Sequence, residues 1–536
     1  MSETKGGEGA PLAPHTMEEM VAHLKERKAT ALQLGGQKEI ERQHASGKLT
    51  SRERLELFFD GGIFTEFGML GDHHSSHPDL KGRKLPADGV TTCYGRVNGR
   101  MVGVAAYDFT VLAGSMGSTG EYKVAMLREM AAKWQMPIVW LLDSSGARIQ
   151  ETTGSQFAGS GYLFKEQVLM SGVVPQVAAV MGPCAAGTAY IPGLADFVPM
   201  VKGTGSMALG GTHLVKAATG EEIGVEELGG SSIHNEISGV ADMEVANDYA
   251  CLQAIKDYLS YFPSSSQQHP PPLPNNNATS QREESLYKIV PTNPRRAYNM
   301  HKVIHKIVDG GIFFEMKAGW AKNLVTGFAR IEGKAVGIVA NNPLVLGGIL
   351  DVNSADKGAR FITLCDAFNI PLIFLVDTPG FLIGSKVEKE GIIRHGAKMI
   401  FAVSSATVPK LTVVVRKAYG AGYFAMCGKA YDPDLIVAWP TAEISVMGPE
   451  GAVNIIGRKA LSEARGQGGE VAEAALRAQM EAQFRKLIDP YLAASYTYVD
   501  DIIDPADTRA LLAQGLEASK NKQTLRYPRK HGIFPV

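Results

Sequence analysis

Two short runs of small residues are the places in this sequence where catalysis could be built from main chain alone. The first is VAAVMGPCAAGTAY, with Ala186 and Gly187 at its turn. The second is LTVVVRKAYGAGYFAM, with Gly420, Ala421 and Gly422. Each reads as an apolar strand, a tight turn and the start of a helix. Small residues let a ligand approach the backbone closely. The first N–H groups of a helix have no partner inside it and sit at its positive dipole end. A pair of such groups is what a developing enolate oxyanion needs.

Other side chains offer less. Asp143 and Asp377 each follow an apolar strand and read at least as readily as caps or loop anchors as they do as acids. Ser144 and Ser145 have no evident partner base. His73, His74 and His77 fall in a polar stretch that reads as a solvated loop, so no metal is expected. His301 and His305 lie four apart, the spacing of one polar helix face. There is no GxxxxGK[ST] loop, no GxGxxG after a strand and no GxSxG elbow. ATP hydrolysis, dinucleotide binding and a serine-hydrolase mechanism therefore lack support. No biotin-attachment motif is present, and HGAKMIF around Lys398 only approaches one. Biotin, if used, must arrive on another chain.

The elements that would carry these turns occur twice. YGRVNGRMVGVAAYD from Tyr94 matches FARIEGKAVGIVANN from Phe328. MPIVWLLDSSG around Asp143 matches IPLIFLVDTPG around Asp377, and VVPQVAAVMG with Pro175 matches TVPKLTVVV with Pro409. All three pairs are 234 residues apart. DGGIF recurs at Asp60 and Asp309 with a spacing of 249, so the first half carries about fifteen extra residues, His73, His74 and His77 among them. Each half alternates apolar strands with helices, an α/β pattern around a buried sheet. Thr16 with Glu19 and Thr50 with Glu53 predict two capped helix starts, the first with Met20, Leu24 and Ala31 on one face. Residues 262–285, rich in Pro, Ser, Asn and Gln, predict a linker. The domains are expected at 17–270 and 271–520.

The bulk numbers agree with a large enzyme. The chain has 536 residues, 45% hydrophobic and 20% charged, with net charge −1. This suggests more than one core and no general attraction to nucleic acid or to a membrane surface. Five scattered cysteines without a CxxC pair suggest a reducing compartment. The first sixteen residues lack the apolar core of a secretory signal. Residues 173–195 carry no charge, but Pro175, Pro183 and Pro192 favour a buried strand, turn and helix over a membrane span.

Several long motifs, in order, resemble the β subunits of propionyl-CoA and related acyl-CoA carboxylases. They include GKLTSRERLELFFDGGIF, DSSGARIQE, GPCAAGTAYIP, DVNSADKGARFITLCDAFNIPL, GIIRHGAKM, VPKLTVVVRKAYGAGYFAM and AWPTAEISVMGPEGAV. The likeness runs from about residue 17 to the C-terminus. It implies tandem crotonase-like domains with ββα-superhelix cores. It implies a β6 hexamer with sites between the N domain of one copy and the C domain of its dimer partner. A biotin carboxylase and biotin carboxyl carrier would be the partner, and a coenzyme A thioester the substrate. By the same likeness Ala186 and Gly187 hold the thioester oxyanion. Ala421 and Gly422 hold the biotin ureido oxygen, with Gly420 in the same turn. Gly146, Ala147 and Phe424 would touch the acyl-CoA. The family turn usually reads Ala-Gly-Gly; here it is Ala185-Ala186-Gly187, so the Ala186 methyl narrows the approach unless its φ is negative. The propionyl-CoA enzymes carry Asp where this chain has Phe424, a position expected to shape the acyl pocket.

The resemblance implies transfer of CO2 from carboxybiotin to the α-carbon, or a vinylogous γ-carbon, of a short acyl-CoA such as propionyl-, acetyl- or methylcrotonyl-CoA. The expected location is the cytoplasm, or the mitochondrial matrix in a eukaryote. A decarboxylase subunit of a sodium-pumping methylmalonyl- or glutaconyl-CoA decarboxylase would share these turns. A hydratase or isomerase of the crotonase class would need acidic residues beside its oxyanion turn, and a scaffold would not need the small residues in both.

Overall fold

The computed structural model describes residues 16–274, 282–525 and 527–536, with Gln156 as backbone only. The expectations for residues 1–15 and for the middle of the proposed linker, 275–281, lie outside the described residues.

Each half is built on one eight-stranded sheet. The first holds β1 (Phe64–Phe67), β2 (Val90–Val97), β3 (Arg100–Tyr107), β4 (Ile138–Ser144), β5 (Gln176–Ala185), β6 (Pro199–Val201), β7 (Ser206–Ala208) and β8 (Met243–Val245). The second holds β9 (Phe313–Met316), β10 (Leu324–Ile331), β11 (Lys334–Asn341), β12 (Leu372–Thr378), β13 (Lys410–Tyr419), β14 (Leu435–Ala438), β15 (Glu443–Ser445) and β16 (Asp501–Ile502). The order β1-β2-β3-β4-β5-β6-β8, with β7 on β5, is repeated as β9-β10-β11-β12-β13-β14-β16, with β15 on β13. Two antiparallel pairs begin each sheet and parallel pairs continue it. The bounds of β4 and β12, and of β5 and β13, differ by the 234 residues of the sequence repeat. Every residue of β4 and β12 is buried, as expected of parallel strands covered on both faces.

One hydrophobic cluster runs through both halves, and each half keeps a further cluster of its own. The helix Asp248–Ser260 lies between them, and Tyr258 stacks on Phe197 at 4.4 Å while reaching Phe314 and Phe328 of the second half. The first part of the predicted linker belongs to this core: Phe262 and Ser265 are fully buried. Arg100 donates to the Leu259 and Phe262 carbonyls, and Arg330 to Ser260 at 2.6 Å, so one arginine from each half satisfies the exposed end of the helix. Composition alone hid this, because one buried aromatic outweighs the Pro, Ser and Gln around it.

Both predicted caps form, with reciprocal Thr16–Glu19 and Thr50–Glu53 bonds opening Met17–Ala31 and Ser51–Phe58. The apolar face expected of the first helix is not buried within one chain. Met20 and Leu24 are exposed, and only Ala31 is covered. The uncharged stretch 173–195 folds as β5, a tight turn and the short helix Tyr190–Leu194. Among the described residues no helix is long and apolar enough to cross a membrane.

Candidate active site

β5 ends at Ala185 and turns through Ala186 and Gly187; β13 ends at Tyr419 and turns through Gly420 and Ala421. The unbroken spacing of 234 pairs Ala186 with Gly420, Gly187 with Ala421 and Thr188 with Gly422. The backbone agrees: Ala186 has φ 55° and Gly420 has φ 56°. The match to Ala186–Gly187 is therefore Gly420–Ala421, one residue earlier than the expected Ala421–Gly422 pair. Ala186 and Ala421 are exposed, whereas Gly422 is buried, where a side chain would press on Gly380 and Thr378. The positive φ at Ala186 is the conformation in which its methyl costs most, on the order of 1 kcal/mol. Gly187 and Ala421 sit in the first turns of their helical segments, where the helix supplies their N–H groups with no acceptor.

The loops after β4 and β12 brace these turns in the same way. Gly146 N–H donates to Ser144 Oγ, and Gly380 N–H to Thr378 Oγ1, both at 3.1 Å. Their carbonyls accept from Met116 and Leu350, both at 2.9 Å. A Cβ on Gly146 would lie 2.8 Å from the Ala185 carbonyl oxygen, so only glycine lets this loop lie against the turn.

Beneath each turn lies a buried carboxylate. Asp143 pairs with Lys48 at 2.9 Å and Arg54 at 3.1 Å, and accepts from Gln43 at 2.9 Å. Asp377 pairs with Arg416 on β13 at 2.9 Å, with Lys417 at 3.7 Å. Burial raises the Asp377 carboxyl, and the arginine opposes that. The first half has Gly182 at the place of Arg416, where a Cβ would be 1.9 Å from an Asp143 oxygen. Both carboxylates anchor the strand ends and are fully enclosed.

Ala186 and Gly187 open onto a cavity of about 700 Å³, a size that suits a small ligand. Met116, Ala147, Phe157, Tyr162 and Phe164 supply apolar wall. Glu121, Arg128 and Glu166 supply a polar side that sequence reading did not single out. Arg128 donates to Glu166 at 2.6 Å, and burial raises the Glu121 carboxyl. Arg148, inside the DSSGARIQE motif, is wholly buried; it binds Asp88, Glu151 at 2.8 Å and the Ser115 carbonyl at 2.9 Å. Glu151 in turn accepts from Ser118, capping the helix Ser118–Trp134 that forms one wall. Only the position of Arg148 between two quoted motif residues could have flagged it.

The second turn does not reach this cavity within one chain. A separate cavity of about 510 Å³ lies beside it, lined by Pro379, Lys417, Tyr419, Glu443 and Arg485 among others. Phe424 projects from the second turn's helix, 43% exposed, with its ring near Tyr423 and Tyr431. Of the expected acyl contacts, Ala147 lines the first cavity, Gly146 braces its turn, and Phe424 stands apart on the other half.

Four of the singled-out histidines bond within their own neighbourhoods. His73 accepts from Ser75 N–H and contacts the Arg83 carbonyl; His77 contacts Asp79; His301 binds Glu315 at 2.8 Å; His305 binds the Gly311 carbonyl at 2.7 Å. Among the described residues no three His, Cys, Asp or Glu side chains are arranged to hold a metal.

With this geometry the comparison with known proteins is decisive. The family model for the carboxyl transferase domain matches residues 42–534. This chain belongs to the carboxyl transferase family. It is an enzyme of that class, with the tandem crotonase-like architecture. It is 43% identical over 521 residues to the propionyl-CoA carboxylase carboxyltransferase subunit of Haloferax mediterranei, covering 97% of this chain and 100% of the relative. It is 42% identical, with the same coverage, to the methylmalonyl-CoA decarboxylase subunit alpha of Veillonella parvula. The crystal structure of the transcarboxylase 12S hexamer, with methylmalonyl-coenzyme A and methylmalonic acid bound, superposes with TM-score 0.92 at 44% identity, covering 98% of this chain and 99% of that one.

Proposed function

We propose that this chain is the carboxyltransferase subunit of a biotin-dependent acyl-CoA carboxylase acting on a propionyl- or methylmalonyl-CoA type substrate. The observation that carries the reading is the repeated turn: two copies of one oxyanion-type geometry, each beside its own cavity, suit a reaction between two large carriers. The Gly187 amide, with Ala186 beside it, receives the thioester oxygen as it gains charge. The Gly420–Ala421 turn, with Gly422 packed behind it, receives the ureido oxygen of biotin. Carboxybiotin supplies CO2 and the base that removes the α-proton, which is why no side-chain base is needed beside either turn. Gly146 and Ala147 flank the thioester, and the apolar wall of Phe157, Tyr162 and Phe164 excludes water from it. Each such donor is worth on the order of 10²–10³ in rate.

Because Gly420 and Ala421 do not line the first half's cavity within one chain, a second copy would bring its second half to that cavity, with Phe424 closing the acyl end. The hexamer named for the 12S protein supports this arrangement. The biotin would come on a biotin carboxylase and carboxyl carrier partner. Five buried, unpaired cysteines fit a reducing compartment such as the cytoplasm or a mitochondrial matrix. The name of the Veillonella relative supports a second direction, decarboxylation, through the same turns. The test is a partner-free assay with malonyl-, methylmalonyl- and methylglutaconyl-CoA and free biotin as acceptor. Carboxyl transfer fastest with methylmalonyl-CoA is expected. No transfer from any of the three would end the reading.

A further inference from the structure

The two turns, alike in backbone, are held by different means. In the first, Thr188 Oγ1 donates to the Ala185 carbonyl at 2.6 Å, a bond inside the turn itself. The second half has Gly422 at the place of Thr188, so that bond cannot form. In exchange, the residue before the turn changes from Ala185 to Tyr419. The Tyr419 hydroxyl donates to Glu443, and Glu443 also accepts from Arg485 at 2.6 Å. The Tyr419 ring lies against Gly448, where a Cβ would come within 3.1 Å of it. β15 carries Glu443 and pairs in parallel with the end of β13, Tyr419 opposite Ser445. The backbone just beyond β15 covers the turn: a Cβ on Gly420 would lie 3.1 Å from the Val446 carbonyl oxygen.

We infer that Tyr419, Glu443 and Arg485 are positioning residues for the second oxyanion turn, replacing from outside the internal pin that Thr188 gives the first. Tyr419 fixes the last strand residue at ring and hydroxyl, so Gly420, free to adopt its left-handed conformation, is held in it. Charge-assisted bonds of this kind are roughly twice as strong as neutral ones. Arg485 sits on the helix Arg458–Leu487 and is itself 3.6 Å from Glu450, which binds Arg295 at 2.8 Å. The pin is thus fastened to β15, to the helix Arg458–Leu487 and, through Glu450, to Arg295. The assignment to the biotin side rests on the function proposed above.

The test compares Tyr419→Phe, Glu443→Gln and Thr188→Val in the full protein. In the partner-free assay Tyr419→Phe and Glu443→Gln are expected to raise KM for free biotin about tenfold and leave KM for the acyl-CoA within about twofold. Thr188→Val is expected to do the reverse. Hydrogen exchange of amides 420–425 is expected to quicken at least about fivefold in Tyr419→Phe and Glu443→Gln, with amides 186–190 unchanged. Equal rises in both KM values, or unchanged exchange at 420–425, would overturn the inference. A wild-type protein inactive with every acyl-CoA would instead refute the proposed function, and the exchange measurement alone would then decide whether the turn is pinned.

Discussion

Lys123 and Lys357, 234 residues apart, are buried lysines that perform one structural task twice. Lys123 Nζ donates to the carbonyls of Ala87 and Val90 at 2.7 and 2.6 Å. Lys357 Nζ donates to those of Lys317 and Trp320, both at 2.9 Å, and of Ala321. Ala87 and Ala321 are themselves a repeat pair, each with positive φ. Each lysine projects from the helix that follows the antiparallel hairpin of its half, Ser118–Trp134 or Val352–Ala367, and ties down the loop ahead of that hairpin. The acceptors are carbonyl dipoles, so desolvation is not fully offset.

Burial lowers Lys123 to about 8 and Lys357 to about 7. The unfolded chain keeps both protonated to about pH 10.4. Above the folded values the unfolded state therefore binds more protons, and stability rises with pH. Below them that gain is lost. Between pH 7 and 8.5 the two lysines are expected to add the equivalent of about 1–3 kcal/mol to the stability read from the urea midpoint, against a loss from the five buried cysteines, whose thiols ionise at about pH 8.5 only in the unfolded chain. A Lys123→Met, Lys357→Met double variant keeps the thiol loss without the lysine gain, so its stability relative to wild type should fall by that amount over the same range. Parallel profiles for the two proteins would show that neither lysine is shifted.

The Asp377–Arg416 pair gives a second test. Both side chains are wholly enclosed, so removing one partner strands a charge. Arg416→Met is expected to cost about 3–5 kcal/mol in urea unfolding. Adding Asp377→Asn should return at least half of that, because the neutral amide no longer needs the cation. If Arg416→Met unfolds within about 1 kcal/mol of wild type, Lys417 alone suffices as partner.

Ala186 and Gly420 predict opposite responses to a methyl. Ala186→Gly should stabilise by about 0.5–1 kcal/mol, since it relieves an alanine held at positive φ, less the added freedom of the unfolded chain. Gly420→Ala should cost about 1–2 kcal/mol and more if Val446 cannot yield. Thermal midpoints of the two variants decide this, and a shift of the same sign in both would contradict the paired geometry.

Much of this was legible because the strands nearest the chemistry carry no insertion between copies. The constant spacing located both turns, and applied to each residue it pairs Ala186 with Gly420. The resemblance points to Ala421–Gly422 with Gly420 in the same turn, and the residue types cannot choose between the two registers, because Gly420, Ala421 and Gly422 are chemically alike until φ is known. The same spacing also joins Lys123 to Lys357, but a lysine inside a helix reads as solvated face, and its burial depends on a loop far away in sequence. Gly182 against Arg416 was invisible for a different reason. The first half fetches its cations from Lys48 and Arg54, outside the aligned blocks. Phe262 was lost to the composition around it.

Assembly across copies predicts complementation. Gly187→Pro deletes the N–H donor of the first turn, and Ala421→Pro deletes that of the second; proline is tolerated in a first helical turn but disfavours the left-handed residue before it, so each variant is used only if its thermal midpoint stays close to wild type. Each homogeneous variant is expected to lose about 10²–10³ in kcat in the partner-free assay. If a site takes one turn from each of two copies, a mixed dimer holds one doubly altered site and one intact site. Co-expressing the variants with different tags and isolating the doubly tagged species should then restore a substantial fraction of wild-type kcat, close to half for a dimer. If both turns of a site came from one chain, every site in that species would carry one lesion, and activity would stay at the level of the single variants.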